Sequence, residues 1–276
     1  MTKVAVVEWQ DGLVPGTKAW SLISERVNDL RPDILVTNEM PFGQWLPTTK
    51  NFVQSSAEDW VRVHDAGIDA LASLNVATIV SSRPVMGGSA LANEAFLLEN
   101  GHYRFLHQKH FFPAEPGWEE ASWFKCFRGG FVPKLTGNTI VASLLCTELM
   151  FTEHARSLGH RGAHLIAAPR ATGNNRVLWH SAGTMAAASA GAYVVSSNRA
   201  ENLDDPSGLF EGGGFAFDPS GKLLGTTSLL EPIVVVNIDE SVAEAAKLRY
   251  PAYVSGDCPT DINQLEREPH AECSPY

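Results

Sequence analysis

Three side chains far apart in the sequence, Cys146, Lys109 and Glu39, are of the types that together can attack a carbonyl carbon. A free thiol has a pKa of about 8.5 and is mostly protonated at neutral pH, so it needs a base or a nearby positive charge to become a nucleophile. A carboxylate can take the thiol proton and pass it on to a leaving group. An ammonium can hold the oxyanion that develops on the carbonyl oxygen. The set suits an unactivated carbonyl such as that of an amide. Taken singly, each residue has an ordinary reading: a small buried apolar cysteine, a solvated loop carboxylate, a surface lysine. Only their convergence would carry chemistry.

Other catalytic constellations are missing. No GxSxG elbow offers a serine nucleophile. No GxxxxGK[ST] loop is present, and Gly212-Gly-Gly-Phe-Ala-Phe lacks the spacing of a dinucleotide fingerprint. His154, His160 and His164 do not make HExxH, and Gly162 ends their helix, so surface histidines are expected and no metal site.

The elements that must position the three residues can be read from periodicity and punctuation. A β-branched run at 4–9 and a helical pattern at 20–30, stopped by Arg31-Pro32, open the chain as a β–α unit. A short strand at 34–36 runs into Asn38-Glu39-Met40-Pro41-Phe42-Gly43, which puts Glu39 at the strand's C-terminal end. Ser56 reads as the N-cap of a helix to about 74, followed by a strand at 76–81. Strands at 90–99 and 103–107 flank Asn100-Gly101, a strong hairpin signal, and Lys109 follows the second. Residues 108–136 are aromatic, punctuated and aperiodic, which predicts a long functional loop.

A strand at 138–145 then ends at Cys146. Helices at 152–162, 176–191 and 240–248 alternate with strands at 163–168, 192–197, 213–217 and 233–238, and Asp218-Pro-Ser-Gly221 makes another turn. The small residues at 186–192 imply close helix packing. Alternating strands and helices with interspersed hairpins predict an α/β layered domain with mixed sheets, and sites in such sheets gather at strand C-termini.

With 44% hydrophobic and 19% charged residues the composition is globular and slightly short of charge, which leaves apolar surface for a homo-oligomer contact. The net charge of -10 disfavours a nucleic-acid partner, because phosphate contacts need clustered Lys and Arg. Small-molecule partners are expected instead. Cys126, Cys146, Cys258 and Cys273 form no CxxC pair, so neither a disulfide framework nor a zinc knuckle is suggested and a reducing cytoplasm fits. No signal-peptide pattern and no apolar run near the ~20 residues of a membrane span are found, so neither export nor a membrane partner is expected.

The segment Leu144-Leu-Cys146-Thr-Glu148-Leu-Met-Phe151-Thr-Glu153, followed by Gly162-Ala-His-Leu-Ile-Ala-Ala-Pro169, resembles the nucleophile region of the nitrilase superfamily. Thr37-Asn-Glu39-Met-Pro-Phe-Gly43 resembles that superfamily's first motif, and Tyr103-Arg-Phe-Leu-His-Gln-Lys109, with Asn93 upstream, its second. The likeness spans roughly residues 4–239. It implies a four-layer α-β-β-α sandwich with two mixed β-sheets, as one carbon-nitrogen hydrolase domain over 1–276 with an irregular tail from about 250. It implies Cys146 as nucleophile, Glu39 as proton carrier, and Lys109 with the backbone N–H of Thr147 as oxyanion donors, with no cofactor and no metal.

The resemblance also implies a second glutamate after the lysine. Glu115, Glu119 and Glu120 are the candidates, of which Glu120, followed by Ala-Ser-Trp-Phe, looks most like the pattern of the β-ureidopropionase branch. Glu148 could bind substrate or fix the loop behind Cys146 through backbone N–H groups. Trp118, among the aromatics of the long loop, could line a pocket or pack a core. Arg170 and Arg199 could meet an anionic substrate or be solvated. A homodimer or higher homo-oligomer is implied as well.

Thr147 stands where an aromatic residue often follows the nucleophile, and Leu149-Met150 where N-carbamoyl-D-amino-acid hydrolases carry arginines. Residues 179–195 lack the Arg-Ala-x-Glu-Asn stretch common at that helix. The first two departures favour a small amide over a nitrile or an N-carbamoyl amino acid, and the third bears on packing or the oligomer contact rather than on chemistry. The alternatives left open are a nitrilase or N-carbamoyl amidohydrolase, an acyltransferase, and a catalytically idle binding member of the fold.

Overall fold

The structure is a computed structural model that describes residues 1–254 except 174 and 205. The tail expected from about 250 therefore lies, from 255 on, outside the described residues, as do Cys258 and Cys273. The β-branched runs form two six-stranded sheets. The first has the order β12-β1-β2-β3-β4-β5, with β1 at Thr2–Val7, β2 at Ile34–Val36, β3 at Thr78–Met86, β4 at Leu91–Glu99, β5 at His102–Gln108 and β12 at Ile233–Ile238. The second has the order β11-β10-β9-β8-β7-β6, with β6 at Lys134–Thr136, β7 at Thr139–Ser143, β8 at Leu165–Ala167, β9 at Tyr193–Ser196, β10 at Phe215–Phe217 and β11 at Leu223–Thr226. Both are mixed, parallel at β1-β2-β3 and β7-β8-β9 and antiparallel toward the edges.

Period-2 alternation decides what each face meets. Val4, Val6, Val36, Val80 and Leu97 face Val141, Leu165, Ala167 and Val195 in a dry core between the sheets. The intervening residues Ala5, Val7, Leu35, Ile79 and Phe96 pack outward on α1 (Lys18–Leu30) and α2 (Gln54–Ala72). On the other side Ala142, Ile166, Val194 and Phe215 pack on α4 (Thr152–His160) and α5 (Arg176–Ala190). These are the four layers of an α-β-β-α sandwich. α6 (Glu240–Lys247) follows β12.

Local readings differ from the structure in instructive places. Helix α2 begins at Gln54 behind Val53, which has no side-chain cap, so Ser56 is not the N-cap. Strand β3 runs on to Met86 because β4 pairs with its whole length. The 108–136 segment contains a short helix α3 (Glu120–Trp123) and strand β6. His164 is buried rather than on the surface: its ring accepts the Ile140 N–H at 3.1 Å and meets Glu244 at 2.5 Å. Among the described residues no helix is long and apolar enough to cross a membrane.

Candidate active site

Glu39 enters three residues beyond β2. Its N–H donates to the Arg170 carbonyl at 3.2 Å, which ties the end of the first sheet to the loop after β8 in the second. Met40, the next residue, has φ +43°, a left-handed conformation that costs a non-glycine residue of order 1 kcal/mol or more. It is held there from both sides. Ser82 Oγ accepts the Met40 N–H at 2.9 Å, and the Arg199 guanidinium donates to the carbonyls of Met40 and Glu39. Glu39 is fully buried, so its carboxylate points where this clamp aims it.

Lys109 lies just past β5, directly across from Asn93 on β4. The backbone N–H of Lys109 donates to the Asn93 carbonyl at 2.9 Å. The Asn93 side-chain amide donates to Glu39 Oε1 at 2.7 Å. Lys109 Nζ then donates to the same Glu39 oxygen at 2.8 Å and to Glu120 Oε2 at 2.6 Å. All three charged groups are essentially out of solvent. Burial alone pushes the lysine down, but Glu120 and Glu39 outweigh it and hold the ammonium well above its ordinary pKa. Glu120 opens α3, and burial, with Glu39 nearby, pushes its carboxyl up to about 7 against the pull of Lys109. Glu39 Oε2 and Glu120 Oε1 are buried without a hydrogen-bond partner among the described residues. Each is a free acceptor.

Cys146 has φ +51°, another left-handed non-glycine residue, at the start of a 3-10 turn over Cys146–Met150. A tight corner of this kind takes the backbone out of the strand ladder, and the Cys146 side chain stays buried. The Cys146 N–H donates to the Pro169 carbonyl at 3.0 Å, and the N–H of Thr147 has no acceptor among the described residues. Behind the corner the Glu148 carboxylate accepts the N–H groups of Leu145 at 2.8 Å and His110 at 2.7 Å and meets His107 Nε2 at 2.7 Å. Glu148 therefore fixes the loop and does not line the cleft. Burial and the Glu39 charge push the Cys146 thiol up, with Lys109 opposing, so sulfur rests protonated.

A cavity of about 300 Å³ opens above these groups, lined by Cys146, Thr147, Glu120, Glu115, Trp118 and Trp179 among others. Trp118, expected to line a pocket, lines this one while its ring edges onto Phe210 at 5.5 Å. Of the three candidate glutamates, Glu120 meets Lys109 and faces the cavity, Glu115 stands at its wall, and buried Glu119 does neither.

Arg170 and Arg199 are both buried, which corrects the solvated reading. Arg170 donates to Ser196 Oγ, Thr172 Oγ1 and the Gly213 carbonyl, lies 4.6 Å from the Trp179 ring centroid, and does not line the cavity. The clamp made by Arg199 and the Asn93 bond to Glu39 are not signalled by their sequence context, and the His107 contact with Glu148 only partly is. A partial signal for His107 exists: it sits two residues before Lys109, so strand alternation puts both on one face.

The carbon-nitrogen hydrolase family model matches residues 66–247, a span holding Lys109, Glu120 and Cys146 but not Glu39. No curated protein sequence matches the chain. Among solved structures, a carbon-nitrogen hydrolase from Helicobacter pylori G27 is 19% identical with a TM-score of 0.79, covering 91% of this chain and 94% of that one. A mutant of the amidase from Nesterenkonia sp. AN1 in complex with butyramide is 20% identical with a TM-score of 0.73, covering 88% and 93%. Another mutant of that amidase, with covalent addition of the acetamide moiety of fluoroacetamide at its active-site cysteine, is 19% identical with a TM-score of 0.68, covering 88% and 92%. At these identities the neighbours establish the fold, and the family match over most of the sequence establishes the rest: this chain belongs to the carbon-nitrogen hydrolase family of the nitrilase superfamily.

Proposed function

We propose that this carbon-nitrogen hydrolase cleaves a small amide through a thioester on Cys146, with Glu39, Lys109 and Glu120 as its working groups. One observation carries the reading: the buried Lys109 ammonium joins two carboxylates, and one of them, Glu120, lines the same cavity as a protonated cysteine on a left-handed corner. As sulfur attacks the amide carbon, Glu39 takes the thiol proton through its free oxygen. A pre-formed thiolate is not needed, which suits a thiol whose pKa is pushed up. The negative charge passes to the carbonyl oxygen, where Lys109 and the free N–H of Thr147 receive it. Such a donor is commonly worth about 3 kcal/mol in the transition state.

Glu39 then hands its proton to the amide nitrogen. The carbon–nitrogen bond breaks, and ammonia or an amine leaves. Water attacks the thioester, Glu39 takes one of its protons, the carbon–sulfur bond breaks, and the thiol is restored with release of the carboxylic acid. Glu120, at 2.6 Å from Lys109, keeps the ammonium aimed and offers its second oxygen to the substrate amide. The butyramide complex of the Nesterenkonia amidase supports the same substrate class, and the acetamide adduct on that enzyme's cysteine supports a nucleophilic cysteine at this place in the fold.

Intact-protein mass spectrometry during turnover of a small amide should show an acyl increment that maps to Cys146, and Cys146→Ala should lose both the increment and ammonia release. A Cys146→Ala enzyme that still released ammonia at the wild-type rate would end the proposal.

A further inference from the structure

The charges around the cavity carry an inference about which amide enters it, and it rests on the hydrolase reading above. The only charged side chains lining the cavity among the described residues are Glu115 and Glu120. The rest of the wall is apolar or neutral, including Trp118, Trp179, Leu178 and Asn175. Arg170, Arg176 and Arg199 do not line the cavity, and Arg170 and Arg199 are engaged elsewhere. Arg170 bonds to Ser196, Thr172 and Gly213, and Arg199 bonds to Asp11 and to the carbonyls of Glu39, Met40 and Gly43.

Glu115 has a definite place. A second, more open groove of about 670 Å³, walled by His110, Phe111 and Phe151, shares Pro113, Glu115 and Thr147 with the cavity. Residues common to both stand at the junction, so Glu115 guards the passage to Cys146. The titratable groove residue His110 does not offset it, since burial and the neighbouring His107 hold the His110 pKa below its ordinary value. Glu120 is spent on Lys109 with one oxygen, but the other is buried, unpartnered and part of a cavity-lining residue, so the interior also holds a free acceptor. Lys109 lies behind Glu120 at the reacting end, so a carboxylate at the far end of the substrate would face Glu115 with no cationic side chain in the cavity wall. A protonated amine would meet Glu115 while the acyl stem lay against Trp118 and Leu178.

We propose that the substrate is a small primary amide whose far end carries a positive charge, and that Glu115 at the mouth selects it over neutral amides and rejects carboxylate-bearing ones. The cavity volume of about 300 Å³ is at the low end for ligand sites and limits the acyl chain to a few carbons. The chain's net charge of -10 would draw the same class of molecule from a distance.

The test compares three amides of similar length: 5-aminopentanamide, hexanamide and glutaramate. In the wild type, kcat/KM should fall in that order, by about threefold between the first two, as fits a partly exposed ion pair. The step to glutaramate should be roughly tenfold or more. Glu115→Gln should bring the ratio of the first two toward one, and Glu115→Lys should raise glutaramate relative to hexanamide. Ratios within one variant are read, so a change in the absolute rate does not blur the result. An unchanged cationic-to-neutral ratio in Glu115→Gln, or glutaramate hydrolysed as fast as hexanamide, overturns the proposal. Calorimetric binding of the three amides to Cys146→Ala separates this idea from the chemistry. The expected binding order without any hydrolysis by wild type would sink the hydrolase reading alone, and hydrolysis without the binding order would sink the charge selection alone.

Discussion

Glu120 Oε2 lies 2.6 Å from Lys109 Nζ, closer than Glu39 Oε1 at 2.8 Å, so one lysine serves two carboxylates in a space without solvent. A single positive charge cannot fully neutralise both. Burial first and the Glu39 charge second push the Glu120 carboxyl up to about 7 against the pull of Lys109.

That shift has a sign for activity and another for stability. If the ionised Glu120 is what holds Lys109 in place, kcat/KM should rise with pH through an ionisation near 7. Glu120→Gln should lose that limb and on the order of 10²-fold in kcat. For stability, the folded pKa of about 7 exceeds the ordinary 4.5, so the folded state binds more protons between those values. The favourable contribution is complete below about 4.5 and is lost as pH rises through 7. Thermal melts from pH 5 to pH 8 should therefore show wild type losing ground against Glu120→Gln as pH rises. A difference in Tm that stayed constant over this range would rule out the raised carboxyl.

A second prediction concerns the packing of the outer helices. An added Cβ at Gly159 in α4 would fall 2.1 Å from the Ala190 carbonyl oxygen in α5, a backbone atom that cannot swing aside. The approach is close because α5 offers Ala186, Ala187 and Ala190 on its buried face. Gly159→Ala must push the helices apart, and overpacking of this kind costs about 1–3 kcal/mol. Urea unfolding should report the loss, with kcat scarcely altered because the contact lies at the C-terminal ends of both helices, while only the first turn of α5, with Leu178 and Trp179, lines the cavity. A variant as stable as wild type would mean the helices have slack that the structure does not show.

Much of this arrangement is legible in the sequence, and the reason is local. The strand end at 36 and the Asn100-Gly101 turn are written in neighbouring residues, and the strand expected to reach 145 ends at Ser143, so residue order alone places Glu39, Cys146 and the approach to Lys109 at or just beyond strand termini. What joins them is not local. Arg199 reads as a solvated residue after a strand, yet it reaches across to the first sheet and is buried against Asp11, Glu39, Met40 and Gly43. Nothing in its neighbouring residues signals that partner. The choice among Glu115, Glu119 and Glu120 stays open in the sequence for the same reason, since three glutamates in one aperiodic loop differ only in where α3 turns them.

The Arg199 clamp gives the last prediction. Its guanidinium holds the carbonyls of Glu39 and Met40 while Ser82 holds the Met40 N–H, and together they keep Met40 at φ +43°. Without those donors the peptide can relax toward an ordinary conformation, and the Glu39 carboxylate turns with it. Arg199→Met keeps an apolar stem but removes every donor and the guanidinium contact with the Trp45 and Phe210 rings, leaving buried carbonyls unpaired at about 1–3 kcal/mol each. Reduced stability alone would not distinguish a positioning role from a structural one. The discriminating measurement is the split between kcat and KM at a temperature where the variant is fully folded. Misaimed Glu39 should lower kcat by on the order of 10²-fold, with KM nearly unchanged, because the cavity wall contains no part of Arg199. Arg199→Lys, which can reach only some of these acceptors and cannot form the planar fork, should fall between. A folded Arg199→Met enzyme with wild-type kcat would show that Glu39 keeps its aim without the clamp.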